Sequence, residues 1–294
     1  MSRTRPKALP LSGTGRVLMV VVSILGVAAL FWPFLLHASA SASQAHHSDA
    51  PLELLVLVPL VLALCASEIA RGNLDARGIA VLGILAACGT ALRIPSPGVA
   101  GFEPMFFLLV LAGRVYGPGF GFALGGVTLL VSAVATGGVG PWLPFQMLAA
   151  GWVGAGAGLL PRATGWSERW LLALYTAGAC LLYGTAMNLW FWPFGAGTST
   201  TVSYVPGASA LENLHHFIVF DVTTSLGFDI PRAVINATLV LVVGGPVLAA
   251  LRRAARRAAL IPLDKHASLT ETGAVSGITA SVRPPGNRGG GSSG

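Results

Sequence analysis

From Trp170 to Phe191 the chain reads WLLALYTAGACLLYGTAMNLWF, twenty-two residues without an acid, a base or a histidine. As a helix, this stretch would reach about 33 Å, enough to cross the roughly 30 Å hydrocarbon layer of a bilayer. Hydrocarbon offers no partner to backbone N–H and C=O groups, so a segment that crosses it must bond them internally, as a helix does. The stretch therefore predicts a membrane-spanning helix. Its neighbours on both sides resemble it. Between Gly78 and Ala250 the Asp, Glu, Lys and Arg residues are confined to Arg93, Glu103, Arg114, Arg162, Glu168, Arg169, Glu212, Asp221, Asp229 and Arg232.

Working outward, eight spans are expected: Val17–Leu36, Leu52–Ile69, Gly78–Leu92, Met105–Val115, Phe120–Thr136, Pro144–Leu160, Trp170–Phe191 and Pro231–Leu251. Met105–Val115 is short and should gain length from Phe102 and toward Tyr116. The composition agrees with a membrane protein. Only 10% of the 294 residues are charged and 54% are hydrophobic, against about 25% charged in soluble domains. The net charge of +7 sits at helix ends and tails. It reads as a topology signal and not as a nucleic-acid-binding patch.

With eight spans, one side receives Arg3, Arg5, Lys7, Arg16, Arg71, Arg77, Arg114, Arg162, Arg169 and the cluster Arg252, Arg253, Arg256 and Arg257. The other receives Arg93 and Arg232 near the membrane ends. The positive-inside rule then puts both termini in the cytoplasm. The run Val17–Leu36 follows basic residues and precedes Ala38-Ser39-Ala40, as a signal peptide would, but exceeds the usual apolar length and is expected to stay as an anchor. Leu211–Gly227 is apolar yet carries Glu212, His215, His216 and Asp221. It is expected to lie on the outer face or to meet the last span at a kink, with Asp229 as N-cap and Pro231 in the first turn. Cys65, Cys88 and Cys180 lie in apolar segments without metal-binding spacing and read as buried thiols.

Three parts follow: residues 1–77 with two transmembrane helices, residues 78–257 with six, and a Ser-, Gly- and Pro-rich tail over 258–294 expected to be a disordered cytoplasmic segment. The six-helix part opens with RGIAVLGILAACGTALRIPSPG (77–98) and joins its second and third helices through GRVYGPGFGFALGG (113–126). Its fourth helix reads PWLPFQMLAAGWVGAGAGLLP (141–161) and its last DIPRAVINATLVLVVGGPVLAALRRAARR (229–257). In these stretches the chain resembles the substrate-binding S-components of energy-coupling-factor (ECF) vitamin transporters, over roughly residues 75–257. The resemblance implies an all-α, polytopic, six-helix core to which the two N-terminal helices are an addition. It also implies a binding subunit that is not an enzyme, a transmembrane coupling subunit and two ATPase subunits as partners, and transport by toppling of the whole component in the membrane.

Gly83, Ala87 and Ala91 recur every four residues, so they share one helix face. Small residues at this spacing allow close helix approach, within the bundle or with a partner. The resemblance implies that such a face docks on the coupling subunit.

Placed by depth, Trp142, Gln146 and Trp152 descend from the outer end of the fourth core helix. Tyr183, Asn188, Trp190 and Trp192 lie toward the outer end of the fifth, and Arg232 and Asn236 in the outer half of the last. Phe102 and Glu103 cap the second on the same side. The set combines aromatic faces with a few amides, as a small-molecule pocket does. Phe102, Glu103, Trp142, Gln146, Trp152, Tyr183, Asn188, Trp190, Arg232 and Asn236 are the candidate substrate residues. They favour a heterocycle such as cobalamin or a precursor. Interhelical packing is the other reading of the amides, and Arg232 has Asp229 or Glu103 as candidate partners instead of substrate. Trp32, Trp166 and Trp170 read as interfacial anchors.

No cofactor or metal is expected. The pairs His46-His47 and His215-His216 fall in polar outer segments, Gly197-Thr198-Ser199-Thr200 is no intramembrane protease motif, and no GxxxxGK[ST] occurs. Paired intramembrane carboxylates are not apparent, which argues against proton coupling. A self-sufficient secondary transporter or channel and a non-transport scaffold remain the alternative readings.

Overall fold

The structure, a computed structural model, describes residues 13–35, 76–95, 99–195 and 201–259. The regular structure there is helical: α1 (Gly13–Leu35), α2 (Ala76–Arg93), a 3₁₀ turn (Val99–Gly101), α3 (Phe106–Tyr116), α4 (Pro118–Thr136), α5 (Leu143–Leu159), α6 (Gly165–Gly195), α7 (Ala210–Thr224) and α8 (Leu226–Ala259). Among these residues four helical stretches are long and apolar enough to cross a membrane: Gly15–Leu35, Pro118–Thr136, Gly165–Gly195 and Leu226–Arg256. The protein is an all-α, multi-pass membrane bundle. The expected span Leu52–Ile69, Cys65, His46-His47 and the tail over 260–294 lie outside the described residues.

The α3–α4 junction follows from three residues. Gly117 closes α3 by donating its N–H to the Gly113 carbonyl, and it takes φ 101°, a region that favours glycine. Pro118 then starts α4 with its φ already set for a helix. At the far end of α4, Gly137 sits in the left-handed region at φ 68° and stops the helix. α4 and α5 pack at backbone distance. A Cβ on Gly154 would stand 2.6 Å from the carbonyl carbon of Gly121, and one on Gly158 would stand 2.6 Å from the Pro118 nitrogen. Glycine here lets two helices meet without intervening side chains.

α3 gains Tyr116 as expected but starts only at Phe106, after the 3₁₀ turn. Its eleven residues reach about 16 Å, well short of the hydrocarbon thickness. Its first N–H groups therefore need partners within the protein. Asn236 of α8 supplies one, its Oδ1 accepting from the Phe107 N–H at 2.9 Å.

The segment Leu211–Gly227 contains a helix of its own. Ser209 caps α7, its hydroxyl accepting from the Glu212 N–H at 3.2 Å. α7 then runs back along the last turns of α6, with Phe217 against Trp192 and Phe220 against Phe191. A turn at Ser225 separates it from α8. This corrects the expected start of the last helix. α8 begins at Leu226, so Asp229 lies in its first turn and is not the N-cap, because the Ser225 carbonyl already accepts from the Asp229 N–H.

α1 packs on the α6–α7 pair through aromatic rings. Trp32 faces Tyr204 and Phe194, and Phe34 faces Trp192 and Phe217. Lower down, Trp152 of α5 donates to the Ser23 hydroxyl at 2.9 Å. Trp32 is thus a buried packing residue and no interfacial anchor, whereas Trp166 and Trp170 are more than half exposed. Of the cysteines, Cys180 is buried as expected and Cys88 is exposed.

Candidate functional site

Two ionic clusters, one toward each end of the bundle, frame the candidate site. In the first, Glu103 is 2% exposed and accepts from Arg93 Nε at 2.7 Å and Arg232 Nε at 3.1 Å. Arg93 also donates to the Ser132 hydroxyl at 3.1 Å. Arg232 pairs with Asp229, whose other oxygen takes the Ser225 hydroxyl. In the second, Glu168 accepts from Arg114 at 2.9 Å and from Arg252 at 2.7 Å. Arg114 further donates to the Leu160 and Pro161 carbonyls, just past the end of α5. Arg232 and Arg252 stand twenty positions apart on α8, about 30 Å along a helix and close to one hydrocarbon thickness.

The first cluster is made of charges that are costly to bury singly and tolerable when paired and hydrogen-bonded. Glu103 and Asp229 are joined through Arg232, with two arginines balancing two carboxylates. Asn236 is fully buried beside them. Its Nδ2 donates to the carbonyls of Glu103 and Arg232, both at 2.9 Å. With Phe107 N–H on its oxygen, its amide is fully engaged within the chain.

Next to this cluster α6, α7 and the start of α8 enclose a groove of about 350 Å³. Asn188, Ser225, Asp229 and Arg232 supply its polar wall, and Met187, Phe191, Phe220 and Phe228 the apolar one. Asn188 donates to Asp221 at 2.7 Å, and Thr185 holds the other Asp221 oxygen at 3.1 Å. Gly184 of α6 also lines the groove. A Cβ there would overlap the Asp229 carboxylate, so glycine lets that carboxylate lie against α6.

The structure divides the ten candidate substrate residues. Glu103, Arg232 and Asn236 meet in the ionic cluster. Tyr183 adjoins them, its ring 4.7 Å edge-on from Phe106 and 5.3 Å from the Arg232 guanidinium. Its hydroxyl is buried without a hydrogen-bond partner among the described residues. Asn188 and Arg232 meet in the groove. Trp142 and Trp190 face each other at 6.2 Å, with Phe145 and Phe194 completing an aromatic cluster. Gln146 is half-buried one turn below Trp142. Trp152 stands apart, lining with Tyr175 and Tyr183 a second, apolar cleft of about 330 Å³ between α5 and α6. That cleft is bordered by exposed Leu174 and Leu182. Phe102 is 44% exposed. On α2, Gly83, Ala87 and Ala91 are all exposed, and a Cβ on Gly83 would meet no atom within 4 Å.

Asp229, Met187, Phe191, Phe220 and Phe228 line the groove but are not in the set derived from sequence. For Met187 and Phe191 a signal is present: Gly184, Met187, Asn188 and Phe191 recur at the three- and four-residue spacing of one helix face. Asp229, Phe220 and Phe228 become their neighbours only through the packing of α7 and the start of α8 against α6.

The family described as ECF transporter, substrate-specific component, matches residues 77–244, more than half of the chain. No curated protein and no solved structure matches it.

Proposed function

Because the chain belongs to the family of ECF transporter substrate-specific components, we propose that it binds a vitamin or related micronutrient in the groove between α6, α7 and α8 and delivers it for import. As a substrate-binding component it is not an enzyme. The observation that carries the site is the groove itself, where a polar wall containing Asn188 and Arg232 faces an aromatic one. Its size falls in the lower part of the range for small-molecule pockets. That favours a compact heterocycle, or a fragment-sized cobalamin precursor, over intact cobalamin. Phe191, Phe220 and Phe228 supply aromatic faces and Asn188 a carbonyl oxygen. Glu103 and Asn236 act as positioning residues that fix Arg232. Trp142, Gln146 and Trp190 extend the site toward the aromatic cluster, with Phe102 and Tyr183 at its margins.

Native mass spectrometry of the purified protein identifies a retained molecule, and titration of that molecule tests the site. Removing a polar partner from a desolvated pocket costs about 1–3 kcal/mol, roughly 5- to 150-fold in affinity. Asn188→Ala should weaken binding by that factor and Gln146→Ala by a smaller one. Trp166→Ala, at the other end of α6, should bind as wild type. Equal affinity in Asn188→Ala and wild type would move the site out of the groove.

The proposal includes eight spans, α3 crossing together with the segment from Phe102 that leads into it, arranged as a core over 78–257 preceded by two helices over 1–77, with both termini cytoplasmic. The segregation of arginines between the two ends supports it. In a cysteine-free background, Thr201→Cys should react with an impermeant thiol reagent on intact cells, and Ser167→Cys only after permeabilisation. The reverse pattern would invert the topology.

Energy would come from a transmembrane coupling subunit and two ATPase subunits, the partners that family membership implies. The exposed face of Gly83, Ala87 and Ala91 supports docking there, because small residues admit a facing helix at short range. Ala87→Leu should reduce co-purification with the coupling subunit while leaving ligand affinity intact. Lost ligand binding with preserved assembly would assign the face to the substrate side.

A further inference from the structure

At the end of the bundle away from Glu103, α6 and α8 enclose a cleft of about 340 Å³ that the proposed substrate path does not use. On α8 its wall climbs one helix face, from Gly245 through Leu248 and Ala249 to Arg252, Arg253 and Arg256. An apolar wall thus passes into a guanidinium rim within three turns. The acid lining this cleft is Glu168, and it is already spent. Its carboxylate is 2% exposed and bonded to both Arg114 and Arg252.

The remaining arginines have excess capacity. Arg253 and Arg256 are exposed, and their side chains have no ion pair or hydrogen bond among the described residues. Arg169 lies with its guanidinium carbon 3.5 Å from the Trp166 ring centroid, which fixes its plane and leaves its N–H groups available. A Cβ on Gly245 would stand 3.5 Å from Arg169 Nη1, so this side chain leans across the cleft. Like charges three and four residues apart on a helix repel. Arg252 and Arg253 each stand in that relation to Arg256, and a bound anion would relieve it. Trp166 and Trp170 beside the cleft are exposed, as tryptophans are at the headgroup level of a bilayer.

A soluble anion would use the rim and leave the apolar wall bare. A phospholipid uses both. We propose that this cleft binds an anionic phospholipid, its headgroup phosphate held by Arg169, Arg253 and Arg256 and the start of an acyl chain laid against Leu248 and Gly245. Basic pockets between membrane helices recognise headgroups in this way.

The test uses the full chain in detergent, offered equal amounts of phosphatidylglycerol and phosphatidylcholine with matched acyl chains, and native mass spectrometry to count retained lipid. Wild type should retain phosphatidylglycerol in preference. Each arginine near an anionic headgroup contributes roughly five-fold, so Arg253→Gln with Arg256→Gln should reduce the preference about 30-fold. Both side chains are exposed, so the double variant should keep its elution volume. Arg162→Gln, an exposed arginine outside the cleft, should leave the preference unchanged. Millimolar inorganic phosphate should not displace the lipid. Equal retention of the two lipids by wild type, or an unchanged preference in the double variant, would overturn the proposal. Displacement by inorganic phosphate would make this a soluble-anion site and overturn the lipid assignment. Loss of coupling-subunit binding with lipid preference kept would overturn it in favour of a protein-docking surface.

Discussion

Glu103→Ala is expected to be the most damaging single substitution in the bundle. Glu103 is the carboxylate shared by Arg93 and Arg232, and all three are nearly inaccessible. Among the described residues, its removal leaves Arg93 with only the Ser132 hydroxyl and Arg232 with Asp229 alone. The cluster then goes from two positive and two negative groups to an uncompensated positive charge. Breaking a buried pair by removing one partner costs about 3–5 kcal/mol, because the stranded charge keeps its full desolvation penalty. For a domain of this size that corresponds to a fall in Tm on the order of 10 °C. The control lies in the same cluster. In Glu103→Ala with Arg93→Leu, the Arg232–Asp229 pair remains and neutrality returns, so the double variant should be more stable than Glu103→Ala alone. Thermal unfolding in detergent, followed by size-exclusion chromatography of the heated samples, measures both. A Glu103→Ala protein that melts with wild type would show that water reaches the cluster.

Gly154→Val should be comparably severe for a steric reason. A Cβ on Gly154 would stand 3.0 Å from the Gly121 Cα and closer still to the Gly121 carbonyl, and its neighbour across the junction is backbone. Overpacking costs about 1–3 kcal/mol where side chains can shift aside. Backbone of a packed helix cannot, so the cost here should reach or exceed the top of that range as α4 and α5 are forced apart. Gly113, Gly121 and Gly154 form one three-helix contact, so the damage would spread from α4 and α5 to α3. Gly178→Ala is the contrast. Gly178 is an exposed helix glycine with open space within 4 Å of where the alanine methyl group would stand. Alanine there should be neutral or stabilising by up to about 1 kcal/mol. Monodisperse yield and Tm of the two variants should therefore diverge. A normal Tm for Gly154→Val would mean that the α4–α5 contact is looser than its glycines imply.

The candidate site was legible in parts. Asn188, Arg232 and Glu103 were identified because polar groups in apolar helices are expensive and need a reason to be there. Their roles were not legible. Whether Arg232 meets substrate or Glu103 depends on a contact across 129 positions of sequence, which no local pattern encodes. In sequence, Asn236 reads either as a ligand amide or as an interhelical contact. The structure shows its oxygen accepting from the Phe107 N–H in the first turn of α3, a contact between helices distant in sequence. Phe220 of α7 and Phe228 in the first turn of α8 are not singled out by sequence, because the placement of α7 against α6 decides which faces line the groove.

The sequence by itself determined the class of molecule. A run such as Trp170–Phe191 has one way to satisfy its backbone in hydrocarbon, and the Gly117-Pro118 pair and Gly137 mark where helices end, because these signals act within a few residues. It also determined that charge is kept to a few places. Only the tertiary structure decided which charges answer one another, that two acids and two arginines close one cluster while Glu168 closes another, and that α6, α7 and α8 leave a groove between them. Those outcomes rest on pairing between distant segments, where the cost of an unpaired charge or a misplaced methyl group is set by the facing helix and not by the residue's own neighbours in sequence.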